Sequence, residues 1–251
     1  MTNINLKILL FPILISISSL KCYSQSKTES YKVNKLGIFV QEPFFNSDTT
    51  LGNNGFINHS DSFNIISYKN VLIYEIPTIS IFENDDTVRY DTTYNFFVFK
   101  KEDTIIRQYK NLRDSNYIRL SISYLKKRLG TLSSYELSPS IAKVQLVSIT
   151  SNSRFDSITT YIPKIIDPTF YDTAYFYFSR NFTTNDYSLS PKLDSTSNLK
   201  LVQVRWLFLK RYSSEYKRIL PQNEYRFSIN SLEVNNPEEI ISFCKKFEKQ
   251  H

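Results

Sequence analysis

The stretch Leu201-Val202-Gln203-Val204-Arg205-Trp206-Leu207-Phe208-Leu209 alternates with a period of two. On a pleated backbone successive side chains point to opposite sides. Val202, Val204, Trp206 and Phe208 therefore share one face, and that face is wholly apolar. The other face mixes Gln203 and Arg205 with Leu207 and Leu209. A strand apolar on one face and half apolar on the other belongs inside a sheet.

The same period recurs along the chain. In Ala174–Phe178, Tyr175 and Tyr177 stand opposite Phe176 and Phe178. Further strands are expected at 32–40, 63–68, 71–82, 94–100, 104–109, 142–150, 157–162 and 225–232. Turn-forming residues separate several of them, as at Glu83-Asn84-Asp85-Asp86. One helix stands out near the C-terminus. Asn236-Pro237-Glu238-Glu239 offers an N-cap, a proline at the first helical position and an acid placed to close a capping box. Ile240, Ile241, Phe243, Cys244 and Phe247 then fall on one face, and Lys245, Lys246 and Lys249 sit where the helix dipole favours cations. A second helix at 121–129, closed by Gly130, competes with a strand reading, because Leu120, Ile122 and Tyr124 also alternate. The fold class is α+β: a dominant antiparallel sheet, curved or doubled into a sandwich, packed against the C-terminal helix.

The first residues have the form of an export signal. Lys7 precedes an apolar run from Ile8 to Leu20, and Cys22-Tyr23-Ser24 provides a small-x-small cleavage site that leaves Gln25 first. The run is too short and too rich in serine for a spanning helix, which needs about 20 apolar residues. Acylation at Cys22 is the alternative, and Lys21 fits it poorly. Loss of residues 1–24 would remove Lys7 and Lys21 and no acid, taking the formal charge from +7 to +5. Cys244 would then be the last cysteine left, so no disulfide can form within residues 25–251 and packing must supply the stability. That length suits one domain. Tyr90-Asp91-Thr92-Thr93-Tyr94 is echoed by Tyr171-Asp172-Thr173-Ala174-Tyr175. A duplicated half-domain joined near 138–140 would explain the echo, as would chance in a chain rich in Tyr and Thr.

Little catalytic equipment is present. His59 lies in the polar run Asn58-His59-Ser60-Asp61, which reads as an exposed turn, and the other histidine is His251. Four glycines make no phosphate-cradling loop, and no G-x-S-x-G elbow occurs. The histidines and Cys244 are too sparse for a zinc site, and Cys244 on an apolar helix face reads as an inert packed thiol. No cofactor is expected. The basic groups at 126–128, 210–211 and 245–246 are short and scattered, which argues against nucleic acid. Two facing carboxylates, drawn from Asp85, Asp86, Asp167 and Asp172, would be needed for hydrolysis of a glycan or peptide.

One polar pattern is not random. Of twelve aspartates, nine precede Ser or Thr, and seven of those continue with an aliphatic residue or Thr. The acceptor hydroxyls in these seven are Thr49, Thr87, Thr92, Thr104, Ser157, Thr173 and Ser195. The tripeptide resembles the acceptor motif of a general O-glycosylation system acting on exported proteins of some Gram-negative bacteria. It has a structural reading too, since Asp favours turns and Thr favours strands, so Asp-Thr naturally opens a strand. The function expected is a non-enzymatic envelope or secreted module that binds a partner protein or an apolar ligand. It should display an exposed Tyr/Phe patch, or a pocket lined by aromatics with few charges.

Overall fold

The alternation at 201–209 becomes β10 (Lys200–Phe208), an interior strand between β9 (Thr173–Ser179) and β13 (Asn223–Leu232). The computed structural model describes residues 31–45, 56–84, 87–129, 137–140, 142–165, 167, 170–182, 187–213 and 217–250. The expected leader with Cys22 and Ser24, the acceptor Thr49, the turn residues Asp85 and Asp86, and Gly130 lie outside them.

Two meanders build the sheet. The first comprises β1 (Asn34–Phe45), β2 (Phe56–Tyr68), β3 (Val71–Asn84), β4 (Thr87–Lys100), β5 (Ile105–Tyr109) and β6 (Ile118–Ser121), and runs into α1 (Ile122–Leu129). The second starts at the far edge with β7 (Val144–Thr150) and β8 (Ser157–Pro163), then β9, α2 (Pro191–Ser197) and β10. β13 pairs with both β10 and β1 and joins the two. The result is one antiparallel sheet of eleven strands in the order β6-β5-β4-β3-β2-β1-β13-β10-β9-β8-β7. β11 (Arg211–Ser213) and β12 (Arg218–Leu220) form a separate hairpin, and α3 (Pro237–Lys249) closes the fold. The α+β class with a dominant antiparallel sheet and a C-terminal helix holds. The compact unit begins at Tyr31. No helix among the described residues is long and apolar enough to cross a membrane.

Alternation divides the side chains into two cores. Toward the front point Ile38 of β1, Ile65 of β2, Phe97 of β4, Phe176 of β9, Val204 of β10 and Phe227 of β13, all buried. α1, residues 137–140 and the segment from Tyr187 to Leu199 cover this face through Leu125, Leu137, Leu189 and Leu193. Toward the back point Ile66, Val71, Ile73, Val98 and Tyr109 of β2 to β5, and α3 lies over them with Ile240, Phe243, Cys244 and Phe247. Arg107 belongs to this back layer. It is 5% exposed, its guanidinium lies 4.7 Å from the ring centres of both Tyr117 and Phe247, and it donates to the Gln250 carbonyl at 2.8 Å. A cation there neutralises the negative end of the helix.

Three expectations change. His59 sits not in a turn but in β2, opposite Glu42 of β1; it is exposed, and its Nε2 is 3.0 Å from Asp61. Before Asn64 the strand pairs, among the described residues, with β1 alone, and polar residues suit that open flank. Val202 does not join Val204, Trp206 and Phe208 in the front core. A bulge against β9 between Leu201 and Gln203 shifts the phase, and Leu201 takes that place. Asn236 occupies the N-cap of α3 with no side-chain cap bond, and Glu239 turns outward to Arg113 at 2.7 Å instead of closing a box.

Candidate binding pocket

The opposed strands β9 and β10 assemble the site from the front core. Trp206 stands opposite Ala174, whose small, fully buried side chain leaves room for the indole, and Val204 stands opposite Phe176. Tyr171 stacks on Trp206 at 5.9 Å and an interplanar angle of 16°, and Phe170 stacks on Tyr171 at 4.2 Å and 29°. On the other side Tyr225 packs against both Phe208, at 5.4 Å, and Trp206, at 6.4 Å. Such ring pairs add roughly 0.5–1.5 kcal/mol beyond their buried area. Residues 137–140 pass above the rings, fixed by the Leu137 N–H donating to the Leu189 carbonyl at 3.0 Å. Between roof and floor is a cavity of about 310 Å³, lined by residues 137–140 with Phe170, Tyr171, Phe176, Trp206 and Phe208.

A polar scaffold outside the cavity holds the rings. The Asp172 N–H donates to the Leu207 carbonyl at 2.8 Å, and its carboxylate accepts from the Leu209 N–H at 2.6 Å and from Arg211. Arg211 also donates to the Phe170 carbonyl at 3.3 Å. The ring pair 170–171 is thereby tied to the end of β10.

Among the described residues no charged side chain lines the cavity. Burial pushes the Tyr171 phenol up to about 12, and the neighbouring Tyr161 acts in the same direction. The Trp206 indole N–H is buried with no hydrogen-bond partner among the described residues, which leaves one donor unmet in the wall. The arrangement offers flat π faces, with the serines of the roof as its polar side chains among the described residues. It suits a neutral apolar or aromatic group.

A larger cavity, about 490 Å³, lies at the other end of the front face under α1. Its floor is Leu72, Tyr74 and Phe99, Leu125 of α1 lies over them, and its rim carries Lys101, Glu102, Asp103 and Lys126, so charges of both signs meet there.

The residues singled out in the sequence scatter over the fold. Asp172 is committed to Arg211 and the backbone, and the carboxyls shifted from their ordinary range, Glu224 and Glu239, are both lowered, by hydrogen bonds from Arg205 and Arg113 respectively. Among the described residues no three His, Cys, Asp or Glu side chains converge as a metal site. Cys244 is fully buried in the back core, and burial pushes its thiol up to about 12.

The Asp-Ser/Thr motifs divide by position. Asp103, Asp156 and Asp172 stand just before β5, β8 and β9, and each carboxylate accepts a backbone N–H: from Lys100 at 2.7 Å, Arg180 at 2.8 Å and Leu209 at 2.6 Å. Asp194, in α2, accepts from the Leu201 N–H at 2.7 Å and the Ser188 hydroxyl at 2.6 Å, and pairs with buried Lys200 at 2.8 Å. Thr87 opens β4. Thr92, Thr104 and Ser195 are exposed, whereas Ser157 and Thr173 are half-buried.

The pocket residues Tyr171, Phe208 and the roof were not foreseen as a site. The usable signal was Trp206 and Phe208 on one strand with a small residue, Ala174, in a neighbouring aromatic strand. No protein-family model matches the chain, no curated protein matches it in sequence, and no solved structure matches its fold.

Proposed function

We propose that this is an exported, non-enzymatic binding module of the cell envelope or extracellular space, and that the aromatic pocket takes a neutral apolar or aromatic group of a ligand or partner. The observation that carries the reading is a cavity of about 310 Å³ whose described lining includes five aromatic side chains and no charge. Its size is at the lower end for small-molecule sites. Export is supported by the leader at residues 1–24, and the compact unit begins only at Tyr31, so cleavage after Ser24 leaves it whole. If the exported chain is glycosylated, Thr92, Thr104 and Ser195 are exposed acceptors, among the described residues, that an enzyme can reach on the folded protein. Of the carboxylates that hydrolysis would draw on, Asp172 is held in the scaffold described above, while Asp85 and Asp86 lie outside the described residues.

The test is binding of N-phenyl-1-naphthylamine, a neutral probe that brightens in apolar surroundings. Ser138→Phe, which places a ring in the cavity, should weaken binding by about tenfold or more. Equal binding by the wild type and this variant would contradict the assignment.

A further inference from the structure

α3 covers only part of the back face, and the strands stay open where the helix begins. Phe96 of β4 is half-buried there and stands opposite Glu75 of β3. Tyr94 lies two residues along β4 on the same face and is 45% exposed. Residues 110–112 and the start of α3 rise around this floor and enclose two cavities, of about 570 and 230 Å³. Phe96 and Asn111 line both, so the two make one groove. It lies on the opposite side of the sheet from the pocket beside Trp206.

We propose that this groove binds a neutral oligosaccharide built from sugars with equatorial hydroxyls. Such a sugar is apolar on its two flat faces and carries donors and acceptors around its rim. The groove offers the complement of both. Tyr94 and Phe96 present rings about 7 Å apart along the strand, on which consecutive sugars can stack. Glu75 takes both of its bonds, from Asn64 at 2.7 Å and from Lys35 at 2.8 Å, on Oε2, which leaves Oε1 to accept from a hydroxyl. Asn111 accepts from the Arg113 N–H through Oδ1 at 2.9 Å and so presents its Nδ2 as a donor. Asn236 makes no side-chain cap bond to α3, and its exposed amide can both donate and accept.

The charges select a neutral ligand. Among the described residues the charged side chains lining the groove are Lys35, Lys110, Glu75 and Glu239, two of each sign. Glu75 is paired with Lys35, and Glu239 is paired with Arg113 at 2.7 Å. Neither an anion nor a cation therefore gains from the site as a whole. A peptide is disfavoured on other grounds. The floor belongs to the interior strands β3 and β4, so it has no free edge on which an extended chain could pair. An open groove leaves its ligand partly solvated, and dissociation is expected at about 0.1–1 mM.

Calorimetric titration of the full chain with cellohexaose and with chitohexaose tests this, and amide chemical shifts locate the site. The wild type should bind at least one of the two, with shifts centred on Phe96, Asn111 and Asn236. Tyr94→Ala should weaken binding about tenfold and Asn236→Ala about threefold. Tyr90→Ala, farther along the ribbon, and Ser138→Phe, in the front pocket, should leave it unchanged. Failure to bind either oligosaccharide, shifts centred elsewhere, a Tyr94→Ala variant that binds equally well, or binding lost in Ser138→Phe would each overturn the proposal. The shift map decides it even where a variant fails to fold.

Discussion

Two nearly identical pentapeptides meet opposite fates. Tyr90-Asp91-Thr92-Thr93-Tyr94 lies within β4, and Tyr171-Asp172-Thr173-Ala174-Tyr175 leads into β9. Tyr90 is 65% exposed, whereas Tyr171 is 7% exposed and stacks on Trp206. Asp91 meets Arg89, two residues away, at 3.1 Å on the surface; Asp172 ties the start of β9 to the end of β10. The local sequence is the same, so the difference comes from neighbours. Between Pro77 and Tyr94, β3 and β4 pair only with each other, and one face of this ribbon shows Ile79, Ile81, Tyr90 and Tyr94 to solvent. β9 is flanked on both sides by β8 and β10 and roofed by residues 137–140. Aromatic content makes a core only where further layers are available to close it.

The largest contrast is expected from removing the first tyrosine of each pentapeptide. Tyr171→Ala should cost roughly 3–5 kcal/mol, as for a buried aromatic, and should abolish probe binding. Tyr90→Ala should stay within about 0.5 kcal/mol. Urea unfolding of both variants measures this, and comparable losses would mean the ribbon is covered after all. Next come the aspartates. Asp172→Ala strips an acceptor from the Leu209 N–H and a partner from Arg211, and should cost about 1–3 kcal/mol. Asp91→Ala removes an exposed pair and should cost under about 0.5 kcal/mol.

A smaller effect, one of pH, is expected from Tyr171. Burial raises the Tyr171 phenol from its ordinary value of 10 to about 12, so the folded state holds that proton more tightly than the unfolded chain does. Its contribution to stability is complete below pH 10, declines as the pH rises, and is gone above about 12. Unfolding free energies measured over this window should fall less steeply in Tyr171→Phe than in the wild type.

Much of the architecture could be read from residue order because the sheet obeys period two. β3, β9, β10 and α3 fall where alternation, turns and Pro237 put them. At 118–129 the helix reading holds from Ile122 to Leu129, and the alternation of Leu120 with Ile122 and Tyr124 does not make a strand, because β6 ends at Ser121. What stayed hidden depends on partners remote in sequence. Glu239 was drawn from its expected capping role by Arg113, and the polar run at His59 is a strand only because β1 pairs with it. The bulge at Val202 follows from fitting β10 to β9, which no local pattern announces. α2 was not anticipated, although Ser190, which accepts from the Leu193 N–H at 3.2 Å, and Pro191 at the first helical position form a recognisable helix start. The pocket was legible only as aromatic strands, because its roof at 137–140 is irregular and remote in sequence from Trp206.

The central claim is that the cavity beside Trp206 is a binding site, and Trp206 is the only tryptophan in the chain. Its emission overlaps the absorption of N-phenyl-1-naphthylamine, so energy transfer reports whether a bound probe lies beside it. The account predicts saturable quenching of Trp206 that tracks the rise in probe fluorescence, with both lost in Ser138→Phe. A probe that binds and brightens while Trp206 emission stays unchanged would place the ligand elsewhere and contradict it.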